Sequence, residues 1–338
     1  MTIRTKKLIN APEDIIPEFI EGLVGAYPDL LTVEGATGRA VVARHGPRDG
    51  KVGIVIGGGS GHEPAFAGYV GRGLADAAAV GNVFASPSPE QILDAGRAAD
   101  GGAGVVFLYG NYTGDVLNFE TAAEMAQAEG VEVRSVLIND DVAVEDSLYT
   151  AGRRGVGGTV LVERIAGAAA ERGDSLDGVT GIAQRVNDNV RSMGVALSAC
   201  TVPHAGVPSF DLTEEEIEIG IGIHGEPGRH KIAMENAAGI TDRLLEPILA
   251  DLKATDGDRV LLFVNGMGGT PASELYIVYR RARQVLAERG ISVERSLVGN
   301  YITALEMQGA SISVLKLDDE MVELWDTPVW TPALRWGV

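Results

Sequence analysis

Apolar positions along the chain alternate between short continuous runs and longer stretches of helical spacing. Ile15, Ile16, Phe19, Ile20 and Leu23 recur at helical intervals, which predicts a helix over residues 12–26 with Pro12 in its first turn. Ala40–Arg44 reads as a short strand, and Val52–Ile56, rich in β-branched residues, as a buried one. Glu63–Val70 reads as helix-like and Asp76–Val80 as a strand of small residues. Ser88 is placed to cap a helix that runs to Ala99, with Pro89 in its first turn. Val105–Leu108 is a second buried strand, followed by a helix over Leu117–Glu129 and a strand over Val131–Ile138. This repeat of strand, polar loop and helix predicts a mainly parallel sheet covered on both faces.

Two helical stretches, Thr159–Glu171 and Leu176–Arg191, interrupt the alternation. Beyond them come predicted strands at Gly194–Ala199, Ile217–Ile223, Arg259–Val264, Ser292–Leu297 and Ile312–Leu317. Helices are expected around Leu244–Leu252, from Thr270 to about Gly290, and at the end of the chain. A chain of 338 residues is long enough for two domains. The expected fold class is α/β. One domain covers residues 1–188, a three-layer α/β/α arrangement, and a second covers 189–338. No Pro- or Ser-rich linker marks the boundary.

Chemistry gathers in the loops after strands. In KVGIVIGGGSGHEP (51–64) three glycines follow the buried strand directly. Glycine permits positive φ and close approach to the backbone, and open α/β sheets bind ligands beyond the carboxyl ends of their strands. A tight strand-to-helix turn accounts for the glycines equally well. The dinucleotide pattern fails because His62 stands where its last glycine belongs, and a Walker loop fails for want of Gly-Lys-Ser/Thr. His62, Asp115 and His224 each lie in such a loop, a trio able to hold a small polar molecule and move a proton. Helix capping alone would also explain Asp115. His45, His204 and His230 read as ordinary surface or loop residues. Paired-Cys and H-x-x-x-H spacings are absent, and Asp140, Asp141 and Asp146 read more readily as turn residues than as Mg²⁺ ligands, so no metal site is expected.

Composition narrows the setting. A net charge of −19 argues against a nucleic-acid surface. Cys200 is the single cysteine, which rules out an intrachain disulfide and suits a reducing cytoplasm. The N-terminus lacks an apolar signal region, and no apolar run reaches 18 residues, so a cytoplasmic protein without a membrane span is expected.

Several longer segments carry a resemblance. GGGSGHEP, NYTGDVLNFE (111–120), DDVAVEDSLYTAGRRGV (140–156), GIHGEPG (222–228), TPASELY (270–276) and WDTPVWTPAL (325–334) resemble the substrate-binding K subunit family of dihydroxyacetone kinases, from about Lys7 to Trp336. The resemblance implies two α/β domains of the type shared with DegV-like proteins, assembled as a homodimer. It implies that His224 binds the carbonyl carbon of dihydroxyacetone as a hemiaminal. It further implies that Gly59, Ser60, Gly61 and His62 form a loop touching substrate, with His62 in acid–base work. Asp115 would be the base for the hydroxyl that is phosphorylated. Family members with ATP-dependent activity fuse a nucleotide-binding L domain, whereas this sequence stops just past the K-type ending. No cofactor is therefore expected on this chain, and ADP or ATP with Mg²⁺ is expected on a separate L subunit, in some systems rephosphorylated by an M protein of a phosphotransferase system. Gly110 stands where bacterial K subunits carry a substrate-touching lysine, which makes a larger ketose such as erythrulose the alternative substrate. A ketose-sensing transcriptional coactivator is the alternative of a different class.

Overall fold

The structure, a computed structural model, describes residues 5–144, 151–226 and 228–338. The chain forms two compact units. The first comprises Ile9–Ile138, Thr159–Val186 and Glu323–Val338, and the described residues of the second fall within Met1–Leu8, Asn139–Gly158 and Asn187–Val322.

The first unit is built on six strands, β1 (Leu31–Glu34), β2 (Ala40–Ala43), β3 (Gly53–Ser60), β4 (Ala77–Val83), β5 (Val105–Gly110) and β6 (Val133–Ile138). Their spatial order is β1-β2-β4-β3-β5-β6. The pairs β3–β4, β3–β5 and β5–β6 are parallel, and an antiparallel β1–β2 ribbon finishes the β4 edge. Helices α1 (Ile15–Ala26), α2 (Pro89–Ala99) and α3 (Thr113–Ala128) belong to this unit, and α4 (Gly158–Arg172) and α5 (Leu176–Asn189) lie mostly within it. Ile92, Leu93, Phe119 and Ala122 of α2 and α3 pack on Val55, Ala79, Val105 and Phe107 of the sheet. The alternate positions Ile54, Ile56, Val106 and Leu108 are equally buried on the other face, as strands of a two-sided sheet require. The start of α2 follows the sequence closely. The Ser88 N–H donates to the Gln91 side chain at 2.9 Å while Ser88 Oγ accepts from the Gln91 N–H, a reciprocal cap.

The second unit carries β7 (Val190–Ala196), β8 (Glu216–Ile219), β9 (His230–Ala233), β10 (Arg259–Gly266), β11 (Ser292–Gly299) and β12 (Gly309–Lys316), in the order β11-β10-β12-β7-β8-β9. Only β10–β11 is a parallel pair. Helices α6 (Ala237–Asp251) and α7 (Ala272–Glu288) bury Leu244, Ile248, Ala282 and Leu286 against Val195, Val260, Leu262 and Ile312. A short helix α8 (Asp319–Asp326) and a two-stranded ribbon, β13 (Val329–Trp330) with β14 (Arg335–Trp336), end the chain.

Two expectations need correction. No α-helix forms over Glu63–Val70; a single 3₁₀ turn at Ala67–Tyr69 stands there instead. Pro64 biases the residue before it away from helical backbone, and Gly68 and Gly71 weaken the helix further along, Gly71 with φ +149°. Strand β8 stops at Ile219, short of Ile223, because Gly220 turns with φ +80°. The two compact units are each made of several separate segments of the chain. Asp140 and Val142 pair with Ser192 of β7, through N–H···O bonds of 2.9 Å each, which draws the described residues around them into the second unit. Arg164 of α4, fully buried, donates to the carbonyls of Gly73 at 2.9 Å and Trp325 at 3.0 Å, which ties the tail into the first unit. Both links join residues far apart in sequence.

Candidate functional site

In the first unit the adjacent parallel strands β4, β3 and β5 end along one edge of the sheet. The three glycines expected to turn the chain are instead the last part of β3. A Cβ at Gly57 would lie 2.6 Å from the Ala79 carbonyl oxygen, and one at Gly59 would lie 2.8 Å from the Ala85 nitrogen. These glycines let neighbouring backbone pass close by. The turn itself comes at Gly61, with φ +97°.

Beyond it, the buried His62 ring stacks on Phe84, centroids 5.1 Å apart and planes 19° from parallel. Phe84 follows β4 and holds φ +56°, a left-handed conformation unusual for a bulky residue. The Gly61 N–H donates to both Glu63 carboxylate oxygens, at 3.0 and 3.2 Å. Burial pushes the Glu63 carboxyl up, and the backbone N–H groups of Gly61 and Glu63 itself pull against that. Ser60 Oγ donates to the Gly81 carbonyl at 2.8 Å.

Gly110 closes β5, in register with Ile138 of β6, and the Asn111 N–H donates to the Ile138 carbonyl at 2.8 Å. Asp115 is the third residue of α3 and is buried. The cap position belongs to Tyr112, whose side chain makes no capping bond. The Asp115 carboxylate sits within the first helical turn, where the helix dipole favours an anion. Gly59 and Ser60 at the end of β3, Gly61 and His62 just after it, Gly110 at the end of β5 and Asp115 in the first turn of α3 thus all lie at or just beyond the C-terminal ends of adjacent strands, as does Phe84 after β4, which no sequence signal marks.

His224 belongs to the second unit. Gly220 ends β8, and the Arg229 N–H returns to the Ile219 carbonyl at 2.7 Å, closing the loop that carries the histidine. Gly225, with φ +75°, turns the chain straight after His224. Glu226 thereby comes back under its own histidine: Oε1 is 2.9 Å from His224 Nδ1, and Oε2 accepts the His224 backbone N–H at 2.9 Å. Burial pushes the Glu226 carboxyl up, but the His224 and Arg154 charges and the hydrogen bonds outweigh it and bring it to about 2. Arg154 is fully buried. Its Nε donates to Asp141 Oδ2 at 2.8 Å and its Nη2 to the Gly220 carbonyl at 2.8 Å. Burial pushes Asp141 up, to about 6, against the opposing pull of Arg154. Gly222 leaves the room for this cluster, since a Cβ there would lie 2.0 Å from Glu226 Oε2 and 2.7 Å from Arg154 Nη1.

Asp140 and Asp141 are engaged elsewhere than in metal binding. Asp140 accepts the N–H groups of Val156 at 2.8 Å and Gly158 at 2.7 Å, and Asp141 holds Arg154 and the Ala143 N–H. Asp146 lies outside the described residues. Among the described residues no group of three or more His, Cys, Asp and Glu is placed to hold a metal, and no helix is long and apolar enough to cross a membrane. The sequence reading missed Glu226, although it stands two places after His224, and Arg154, for which no local signal exists.

The Dak1 domain matches residues 21–333. The dihydroxyacetone-binding subunit DhaK of a PTS-dependent dihydroxyacetone kinase 1 from Listeria innocua is 49% identical over 329 residues, covering 97% of this chain and 99% of the relative. Among solved structures, the native dihydroxyacetone kinase of C. freundii superposes with TM-score 0.87 at 34% identity over 98% of this chain, which spans only 60% of that one. The Dha operon co-activator Dha-DhaQ gives TM-score 0.87 at 34% identity, covering 94% of this chain and 97% of that one.

Proposed function

Because the chain belongs to the Dak1 family, we propose that it is the substrate-binding subunit of a dihydroxyacetone kinase and holds the ketose as a hemiaminal on His224. The observation that supports this most is the His224 loop, which sets an imidazole against a buried carboxylate. On this reading the His224 Nε2 lone pair attacks the carbonyl carbon. The carbonyl π pair moves to oxygen, which takes a proton drawn from solvent through His62, and the imidazole is left cationic. Asp115 accepts the proton of the hydroxyl that receives the phosphoryl group. Dihydroxyacetone has few atoms, so at roughly 1.5 kcal/mol per heavy atom its noncovalent affinity is capped near 9 kcal/mol. A reversible bond adds to that, holds the hydroxyl in place for transfer, and excludes glycerol, which has no carbonyl.

The nucleotide, ADP or ATP with Mg²⁺, is assigned to a separate L subunit, and a phosphotransferase-system M protein to its recharging. The lone buried Cys200 supports a cytoplasmic setting, and the family resemblance supports a homodimer. Gly110, buried at the end of β5 without a side chain, favours a second reading in which a longer ketose such as erythrulose is accepted.

Crystals soaked with dihydroxyacetone test the assignment. Continuous density between His224 Nε2 and the carbonyl carbon is expected. An intact, unattached ketone at full occupancy would overturn the hemiaminal. Adduct formation without phosphoryl transfer from any L partner would instead favour the ketose sensor.

A further inference from the structure

We propose that Glu226, braced by Arg154 and Asp141, is a positioning residue that decides which nitrogen of His224 attacks the ketose. This rests on the assignment of His224 as the nucleophile. An ionised carboxylate can only accept hydrogen bonds. With Glu226 Oε1 at 2.9 Å from Nδ1, the proton of the neutral ring must sit on Nδ1, which leaves the lone pair on Nε2. The second oxygen takes the backbone N–H of the same residue at 2.9 Å, so one carboxylate fixes both the ring and the chain that carries it.

The imidazole charge is the largest of the influences that favour an ionised Glu226, and it is not the sole one. Burial opposes ionisation, yet the buried Arg154 guanidinium and two N–H donors remain when the ring is neutral. Arg154 is itself held by Asp141 and by the Gly220 carbonyl at the mouth of the loop. As the Nε2–carbon bond forms, positive charge develops on the imidazole directly opposite Glu226. The carboxylate therefore acts twice, on the tautomer and on the adduct. The plainer role, closing the loop through the His224 N–H, needs only an acceptor oxygen and not a charge.

Two-bond ¹H–¹⁵N correlation spectra of histidine-labelled protein read the tautomer directly, with no ketose present. The His224 signals are identified by their loss in His224→Asn. Wild-type protein at about pH 8, above ordinary imidazole titration, is expected to hold the Nδ1–H form. Glu226→Gln keeps an oxygen for the backbone N–H but removes the charge. Its His224 is expected to shift toward the Nε2–H form, with ketose affinity lowered about tenfold or more, the scale seen when an outer partner of a ligating histidine is removed. An Nε2–H form in resting wild-type protein, a measurement that needs no variant, overturns the proposal. So does a Glu226→Gln protein with unchanged tautomer and affinity. An Nδ1–H wild-type protein that forms no adduct leaves the tautomer lock standing and sinks the nucleophile assignment instead.

Discussion

The chain contains two histidines closely followed by glutamate and proline, His62-Glu63-Pro64 and His224-Gly225-Glu226-Pro227, and their surroundings differ in kind. Glu63, adjacent to its histidine, turns back to the Gly61 N–H, and burial raises its carboxyl. Glu226, one glycine further on, reaches its own histidine's ring and backbone, and its carboxyl is held at about 2. The inserted Gly225, with φ +75°, is what brings the carboxylate under the ring. His62 is positioned by an aromatic face, Phe84, and His224 by an anion. A ring set by a fixed anion has a defined lone pair and a counter-charge, which suits a nucleophile.

The largest effects should separate binding from turnover. His224→Asn should abolish adduct formation, because no nitrogen lone pair remains to attack. Asp115→Asn should leave the adduct intact and lower turnover by about 10²–10⁴, the usual scale for loss of a general base. An adduct made before phosphoryl transfer holds the ground state, so the base matters chiefly in the transition state. Both are checked with an L partner present, measuring ketose affinity and rate. Near-normal turnover in Asp115→Asn would leave the carboxylate only its favourable place in the first turn of α3 and move the base to His62.

Acid titration sharpens the contrast between the two glutamates. Glu226 lies below the unfolded glutamate value of about 4.3, so its contribution is present above that pH and is lost as pH falls toward about 2. The depression corresponds to about 3 kcal/mol at most. Glu63 is shifted the other way, so its contribution is present in acid and is lost as pH rises through its raised value. Urea midpoints across the acid range, for wild type against Glu226→Gln and against Glu63→Gln, should give stability differences of opposite slope. Slopes of the same sign would mean that the two carboxylates are not in opposite electrostatic settings.

How much of the molecule is legible in its sequence depends on the range of each interaction. The Ser88 cap, the α1 periodicity and the buried β5 run are local, and they stand where their residues predict. His62, Asp115 and His224 are visible because each is polar and comes after an apolar run. The glycines of β3 read as a turn because their purpose is set by Ala79 and Ala85, on the neighbouring strand and just beyond it. Arg154 is invisible for the same reason. Its hydrogen-bond partners Asp141 and Gly220 come from separate stretches of chain, and nothing within a few residues of Arg154 marks it as buried. The division into units depends on Ser192 and Arg164, whose contacts are also distant.

Ser60 offers the smallest effect and tests how far the family's substrate loop extends along this chain. The resemblance makes Ser60 a substrate contact, yet its hydroxyl proton is directed at the Gly81 carbonyl, 2.8 Å away and buried. A neutral hydrogen bond of this kind contributes about 1 kcal/mol to stability. Ser60→Ala should therefore lower stability by about that amount, read as a shift in the urea midpoint. Ketose affinity should change by less than about threefold, because the donor is already committed within the fold and only an acceptor lone pair remains for a ligand. Removing the hydroxyl also takes a donor from the Gly81 carbonyl near the end of β4, three residues before Phe84, so any secondary effect should appear in turnover, through the ring that His62 stacks on, before it appears in binding. A large loss of affinity with an unchanged midpoint would reverse the assignment, showing that the hydroxyl leaves Gly81 for the ketose when the site is filled.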